Sequence, residues 1–159
     1  MTLDAIDQAI LRELQRDGRI TNQELADRVE LSPSPCLRRV RRLEEEGFIA
    51  GYAAIVDQAS VGLAITAFVR IRLEKHDVEA LAEVEATILT LPNVVEAYLL
   101  AGDEDYLLKV ATPSFENYET FLRDQLRRIP NLASVHSTFA YRAVKALSPL
   151  PLDEAGDPT

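Results

Sequence analysis

The stretch Ser32-Pro33-Ser34-Pro35-Cys36-Leu37-Arg38-Arg39-Val40-Arg41-Arg42-Leu43 carries four arginines in a chain whose formal net charge is −9. The helix start reads as Ser32-Pro33 or Ser34-Pro35. The serine oxygen can accept from an orphan amide, and proline lacks the amide hydrogen that a first turn leaves unpaired. On a helical wheel Cys36, Leu37, Val40 and Leu43 share one arc. Ser34, Pro35, Arg38 and Arg42 centre on the opposite arc, with Arg39 and Arg41 flanking it. The expectation is a helix that packs through one side and projects guanidinium forks from the other, able to hold phosphate or the O6 and N7 of guanine. A solvated face paired with Glu44, Glu45 and Glu46 has the same composition, so the neighbouring segments must decide.

Two helices precede it. Leu3, Ile6, Ile10 and Leu14 recur at helical spacing, with Leu11 widening the stripe and Gly18 as a stop. Thr21-Asn22-Gln23-Glu24 has the capping-box pattern, and Leu25, Ala26 and Val29 give the second helix an apolar side. Only a few residues, including Glu30, Leu31 and Ser32, separate it from the arginine helix, which Gly47 closes. Three short helices with so tight a turn predict a helix-turn-helix. Phe48 to Val56 is rich in strand formers and reads as a wing or connecting strand, and Asp57 to Gly62 as a short linker.

The negative total does not exclude a polyanionic partner. Residues 1–47 hold eight arginines against ten carboxylates, whereas residues 48–159 hold nine basic residues against sixteen acids. Screening within about 8 to 10 Å lets a local arginine patch govern phosphate contact. The one cysteine, Cys36, reads as a small buried hydrophobe, and His76 and His136 have no ligand spacing around them, so neither a disulfide nor a metal is expected. No stretch reaches the roughly 18 apolar residues of a bilayer span. A reduced, cytoplasmic protein without cofactor or membrane attachment is the expectation. Catalysis is not expected either, because the two histidines lie in separate halves and no glycine-flanked serine is present.

The second half repeats itself. Leu91-Pro92-Asn93-Val94 matches Ile129-Pro130-Asn131-Leu132 at a spacing of 38 residues. The first unit runs from a strand alternating through Ile65, Ala67, Val69, Ile71 and Leu73, through a helix from Val78 to Leu91, to a strand near Val94 to Ala101. The second runs from Tyr106 to Ala111, through a helix from Ser114 that includes Leu126, to a last strand near Val135 to Val144. This βαββαβ order predicts a ferredoxin-like unit whose two helices cover one sheet face. Phe68, Tyr98 and Leu108 lie in strands that those helices cannot satisfy on both faces, so a partner subunit is expected to cover the other. Gly102-Asp103-Glu104-Asp105 at the central hairpin suits ordinary turn chemistry, or a small-molecule site in which a carboxylate meets an ammonium group.

Asp4-Ala5-Ile6-Asp7, Leu14-Gln15-Arg16-Asp17-Gly18-Arg19, the run Leu31 to Val40, Leu43-Glu44, Gly51-Tyr52 and the run Gly102 to Val110 together resemble the Lrp/AsnC family of leucine- and asparagine-responsive regulators, over nearly all of residues 3–152. The resemblance implies an α+β chain: a winged helix-turn-helix (1–47), a wing or connecting strand and linker (48–62), a ferredoxin-like βαββαβ effector-sensing and dimerisation domain (63–147), and a C-terminal tail (148–159). The tail, from Pro149 onward, is expected to be frayed. The resemblance further implies a sequence-specific transcription regulator that binds double-stranded promoter DNA, responds to an amino acid or related metabolite, and forms homodimers that build tetramers, octamers or hexadecamers. It places DNA contacts on Ser34, Arg38, Arg39 and Arg42, with Thr21, Asn22 and Gln23 near the backbone. The effector pocket falls around Gly102, Asp103, Glu104 and Asp105, facing Ser137 and Thr138. Many members carry an aromatic where this chain has Glu104, which points away from a leucine-like effector toward a more polar or cationic one. The alternative function is an architectural protein that bends and compacts DNA without ligand control.

Overall fold

The computed structural model describes residues 2–152, which divide into two compact units, one formed by residues up to Ile55 together with those from Lys145 onward, the other by Val56–Val144. In the first unit, α1 (Ala5–Arg16) is started by Asp4. The Asp4 carboxylate accepts from the Asp7 amide at 2.8 Å, and the Asp4 amide in turn donates to the Asp7 carboxylate at 3.3 Å. The acid at the third helical position therefore closes a capping box. Helix α2 (Asn22–Arg28) begins with the expected box between Thr21 and Glu24.

Its end is a full Schellman turn: Glu30 sits at φ +56°, its amide donates to Asp27 O, and the Leu31 amide donates to Ala26 O. Helix α3 (Pro33–Glu45) follows at once with Ser32 at the cap position, but the Ser32 side chain makes no capping bond. Proline explains this, since Pro35 occupies the third helical position and has no amide to offer. Gly47, at φ +79°, ends α3 in the left-handed region. Ile10, Leu25, Ala26, Cys36 and Leu43 form the buried centre, each of the larger side chains contributing about 1.5–3 kcal/mol. Burial also pushes the Cys36 thiol up, as befits a packed hydrophobe rather than a reactive thiolate.

Three expectations change here. Leu37, read as part of the packed arc, is 38% exposed and lies outside the core cluster. Phe48 to Val56 forms no strand, because no second strand among the described residues pairs with it; it is held instead by the Ile49 amide on Leu43 O and the Tyr52 hydroxyl on Glu44. The described part of the C-terminal tail is docked rather than frayed. The Leu150 amide donates to Gln15 Oε1 at 2.6 Å, Gln15 Nε2 returns to Leu150 O, and Leu152 packs against the core of α1, α2 and α3. The remainder of that tail, 153–159, lies outside the described residues.

The second unit is an antiparallel sheet of order β2-β3-β1-β4, built from β1 (Ile65–Leu73), β2 (Val94–Leu99), β3 (Tyr106–Thr112) and β4 (Leu132–Ala140). The first helix, α4 (Val78–Leu89), is capped by Asp77, and the second, α5 (Phe115–Asp124), by Ser114. A separate 3-10 turn, Leu126–Arg128, follows α5 where a continuous helix was expected. Strand β4 starts three residues earlier than expected and stops at Ala140, because the register pairs Leu73 with Leu132 and Thr66 with Ala140 and uses up β1. Each arm of the repeat launches a strand through its asparagine. Asn93 exchanges bonds with Ala111 of β3, and Asn131, at φ +56°, accepts from the Glu74 amide.

Alternation decides which residues meet the helices. Ala67, Val69, Ile71, Leu108 and Val110 are buried in the core with Val84, Ile88, Tyr118 and Phe121. Leu108, expected to need a partner, is therefore satisfied within the chain. Phe68 and Tyr98 are exposed, as are Arg70 and Arg72 on the alternate positions of β1. A chain ending at Ser148 is expected to lose the Gln15 bonds and the Leu152 contact, lowering the opening free energy of α1 by on the order of 1–2 kcal/mol. Amide hydrogen exchange of Ile10 and Leu11 checks this, and unchanged protection would show the docking to be passive.

Candidate nucleic-acid interface and effector site

The capping box that starts α1 leaves the Asp7 carboxylate almost entirely buried, at 2% residue exposure. A buried carboxylate must be paired, and the partners come from α3. Arg39 Nη1 lies 2.8 Å from Asp7 Oδ1 and 2.6 Å from Asp4 Oδ2, and Arg42 Nη2 bonds Asp7 Oδ2. Both guanidiniums are partly buried, and the two acids hold the Arg39 group above its ordinary value. The Asp4 carboxyl is held below its usual range, first by the Asp7 amide and then by Arg39.

The arginine helix is thereby divided. Arg39 and Arg42, both expected to face DNA, are ion-paired to α1. Arg38 and Arg41 are exposed and make no ion pair among the described residues. Ser34, Leu37, Arg38, Arg41, Arg42 and Glu45 line one shallow recess along the outer side of α3. Pro33 and Pro35 remove two of the first three backbone amides, so of these only the Ser34 amide remains for an anion at this end, and most such contact falls to side chains. Arg41 was absent from the expected contacts, although its spacing of three from Arg38 puts it on the same side. A signal for Arg39 also existed, since it stands three residues after Cys36 and four before Leu43, the two buried positions of the helix.

Of the α2 candidates, Thr21 is engaged in its capping box, Asn22 donates through Nδ2 to Pro33 O at 2.9 Å, and Gln23 donates to Asp27. Asn22 therefore ties α2 to the first turn of α3. Glu13 receives both Arg16 and Arg28, and Arg28 above all holds its carboxyl low.

In the second unit the expected effector residues are dispersed. Asp105 closes its hairpin: its Oδ2 accepts from the Leu73 amide at 2.7 Å, its Oδ1 lies 2.9 Å from His76 Nε2, and its own amide donates to Ile71 O. Gly102 and Asp103 are exposed, and a Cβ added at Gly102 would meet nothing within 4 Å. Glu104 Oε1 lies 3.3 Å from His136 Nδ1, while its Oε2 is buried without a hydrogen-bond partner. Ser137 and Thr138 are adjacent in β4 and so point to opposite faces. The Ser137 and Tyr118 hydroxyls bond one another beneath the helices, and Thr138 stands opposite Phe68 on the open face. That face also carries the Lys109–Glu96 pair at 2.6 Å and the Tyr98 hydroxyl on Glu96.

Among the described residues no cluster of three or more His, Cys, Asp or Glu is arranged to hold a metal ion, and no helix is long and apolar enough to cross a membrane.

Comparison with known proteins gives matches over both units. Residues 3–50 match the winged helix-turn-helix DNA-binding family and residues 66–150 the Lrp/AsnC ligand binding domain. The chain is 43% identical to the Bkd operon transcriptional regulator of Pseudomonas aeruginosa over 150 residues, 94% of this chain and 98% of that protein. It is 41% identical to the leucine-responsive regulatory protein of Escherichia coli over 143 residues, 90% of this chain and 87% of that one. The crystal structure of a Neisseria meningitidis transcriptional regulator in complex with L-methionine superposes with a TM-score of 0.89 at 37% identity, covering 94% of this chain and 97% of the other.

Two outcomes are expected from the ion-pair geometry. Replacing Arg42 by Ala leaves Asp7 with one guanidinium and lowers the opening free energy of α1 and α3 by about 1–3 kcal/mol, whereas Arg41→Ala changes it by less than about 0.5 kcal/mol. Hydrogen exchange on the two variants separates them. The depressed Asp4 and Glu13 carboxyls contribute stability that is complete above their ordinary values of 3.8 and 4.5 and is lost as the pH falls through their lower folded values. Protection of α1 is therefore expected to hold from neutral pH to about pH 5 and to fall below about pH 4.

Proposed function

The chain belongs to the Lrp/AsnC family of DNA-binding, amino-acid-responsive transcription regulators, and from that premise we propose how its own residues divide the work. Ser34, Arg38 and Arg41 meet the major groove of double-stranded promoter DNA, and Arg39 and Arg42 hold α3 at the angle that presents them. Thr21, Asn22 and Gln23 lie at the start of α2, where a helix crossing the backbone would pass close to phosphate. The observation that carries this reading is the pairing of Arg39 and Arg42 with Asp7, which leaves Arg38 and Arg41 as the unpaired cations of the helix.

The effector is an amino acid, as in the Neisseria relative's L-methionine complex. Its ammonium group pairs with the Glu104 carboxylate beside His136, and the hairpin of Gly102, Asp103 and Asp105 supplies the backbone around it. Asp105 acts by fixing the hairpin rather than by touching the ligand. A second copy of the chain covers Phe68 and Tyr98 on the open sheet face, making a two-fold dimer that brings two α3 helices onto one duplex. The protein works in the cytoplasm and carries out no chemistry of its own.

Gel retardation on a fragment from upstream of its own coding region tests the reading. The native protein is expected to shift it, and Arg38→Gln with Arg41→Gln to lose at least about tenfold in affinity and up to roughly two units of salt slope per protomer on the duplex while the oligomer stays intact. Equal binding by the double variant would place the interface elsewhere. Thermal denaturation against a panel of amino acids is expected to show a rise with at least one, and Glu104→Gln to abolish it. A chain that compacts DNA with no response to any amino acid would instead be architectural.

A further inference from the structure

The outer side of α3 holds an apolar group that the core does not use. Leu37 is 38% exposed, stands outside the headpiece cluster, and lies one helical turn from both Ser34 and Arg41 and next to Arg38 in the same recess. We propose that Leu37 reads the 5-methyl group of a thymine, so that each half-site carries a thymine beside the base or phosphate held by Arg38 or Arg41. This rests on the DNA-binding reading of α3 and assigns it a specificity residue.

Charge orients the helix. Glu45 lies at the far end of the recess and is followed by Glu46, so phosphate repulsion keeps the C-terminal turn out and the turn bearing Ser34, Leu37 and Arg38 goes in. In the groove the base edges offer donors and acceptors at every pair, and thymine alone among the unmodified bases adds a methyl group. A leucine between two guanidiniums loses its water on docking and finds no polar partner, so the methyl group is the surface it matches.

The operator is first selected from randomised duplexes with the full-length native protein, and each thymine is then replaced singly by deoxyuridine, which removes the methyl and keeps every hydrogen bond. At one thymine per half-site the native protein is expected to lose about threefold to fivefold in affinity. Leu37→Ala is expected to bind the thymine duplex that much more weakly and to be indifferent to the substitution, with its melting temperature unchanged because the side chain is outside the core. A flat deoxyuridine scan with the native protein overturns the proposal without the need of any variant, as does a methyl effect that persists in Leu37→Ala. Failure of the native protein to retain any duplex is a different outcome, and with it the DNA-binding reading itself falls.

Discussion

A single buried carboxylate organises the DNA-binding unit. Asp7 lies in the first turn of α1, so close to the helix start that its backbone amide is capped by Asp4 while its side chain is driven beneath α3. Once there it requires positive partners, since an unpaired charge in such a place costs several kcal/mol. Arg39 and Arg42, one helical turn apart, supply them from the same side of α3. The rotation of α3 about its own axis follows from that pairing, and with it the set of side chains that face outward. The Asn22 bond to Pro33 fixes the near end of the helix in the same way.

This arrangement reconciles an acidic chain with a polyanionic ligand. Two of the four arginines of α3 are neutralised internally, so its outer side carries a pair of guanidiniums with a serine and a leucine rather than a broad cationic field. Such a surface attracts phosphate only at short range, and the surplus of carboxylates elsewhere weakens non-specific attachment. Specificity then depends more on base-edge contacts than on total charge.

In the second unit the sheet has one committed face and one open face. Period-two alternation sends Ala67, Val69 and Ile71 under the helices and leaves Phe68, Arg70 and Arg72 outside. The same alternation splits Ser137 from Thr138, so the two cannot line one pocket on one side of a single sheet. Asp105 spends both carboxylate oxygens on the Leu73 amide and His76, which makes it the pin of the β2–β3 connection and leaves the exposed Asp103 and the half-buried Glu104 as the hairpin carboxylates with oxygens to offer.

Much of this was written in local sequence. The Thr21–Glu24 box, the Ser32-Pro33 helix start, Gly47, the buried Cys36 and the Leu/Ile-Pro-Asn repeat all depend on residues within a turn or two of one another, and each sits where its pattern placed it, although Ser32 makes no side-chain cap and Ser34-Pro35 falls inside the helix. The bonds of Arg39 and Arg42 to Asp7, of Gln15 to Leu150 and of Tyr118 to Ser137 join positions between 19 and 135 residues apart. Wheel arithmetic showed that the arginine helix has an inner and an outer side, but the boundary between them ran through Arg39, Arg42 and Leu37, whose fate depends on what α1 brings opposite. Phe48 to Val56 has the composition of a strand and remains unpaired, because a ladder needs a neighbour that composition cannot supply. Local periodicity and capping chemistry therefore determined the elements and their order. Which arginines are free and which oxygens have partners was decided only when helices remote in sequence met, since burial and pairing are properties of the assembled surfaces and not of any one of them.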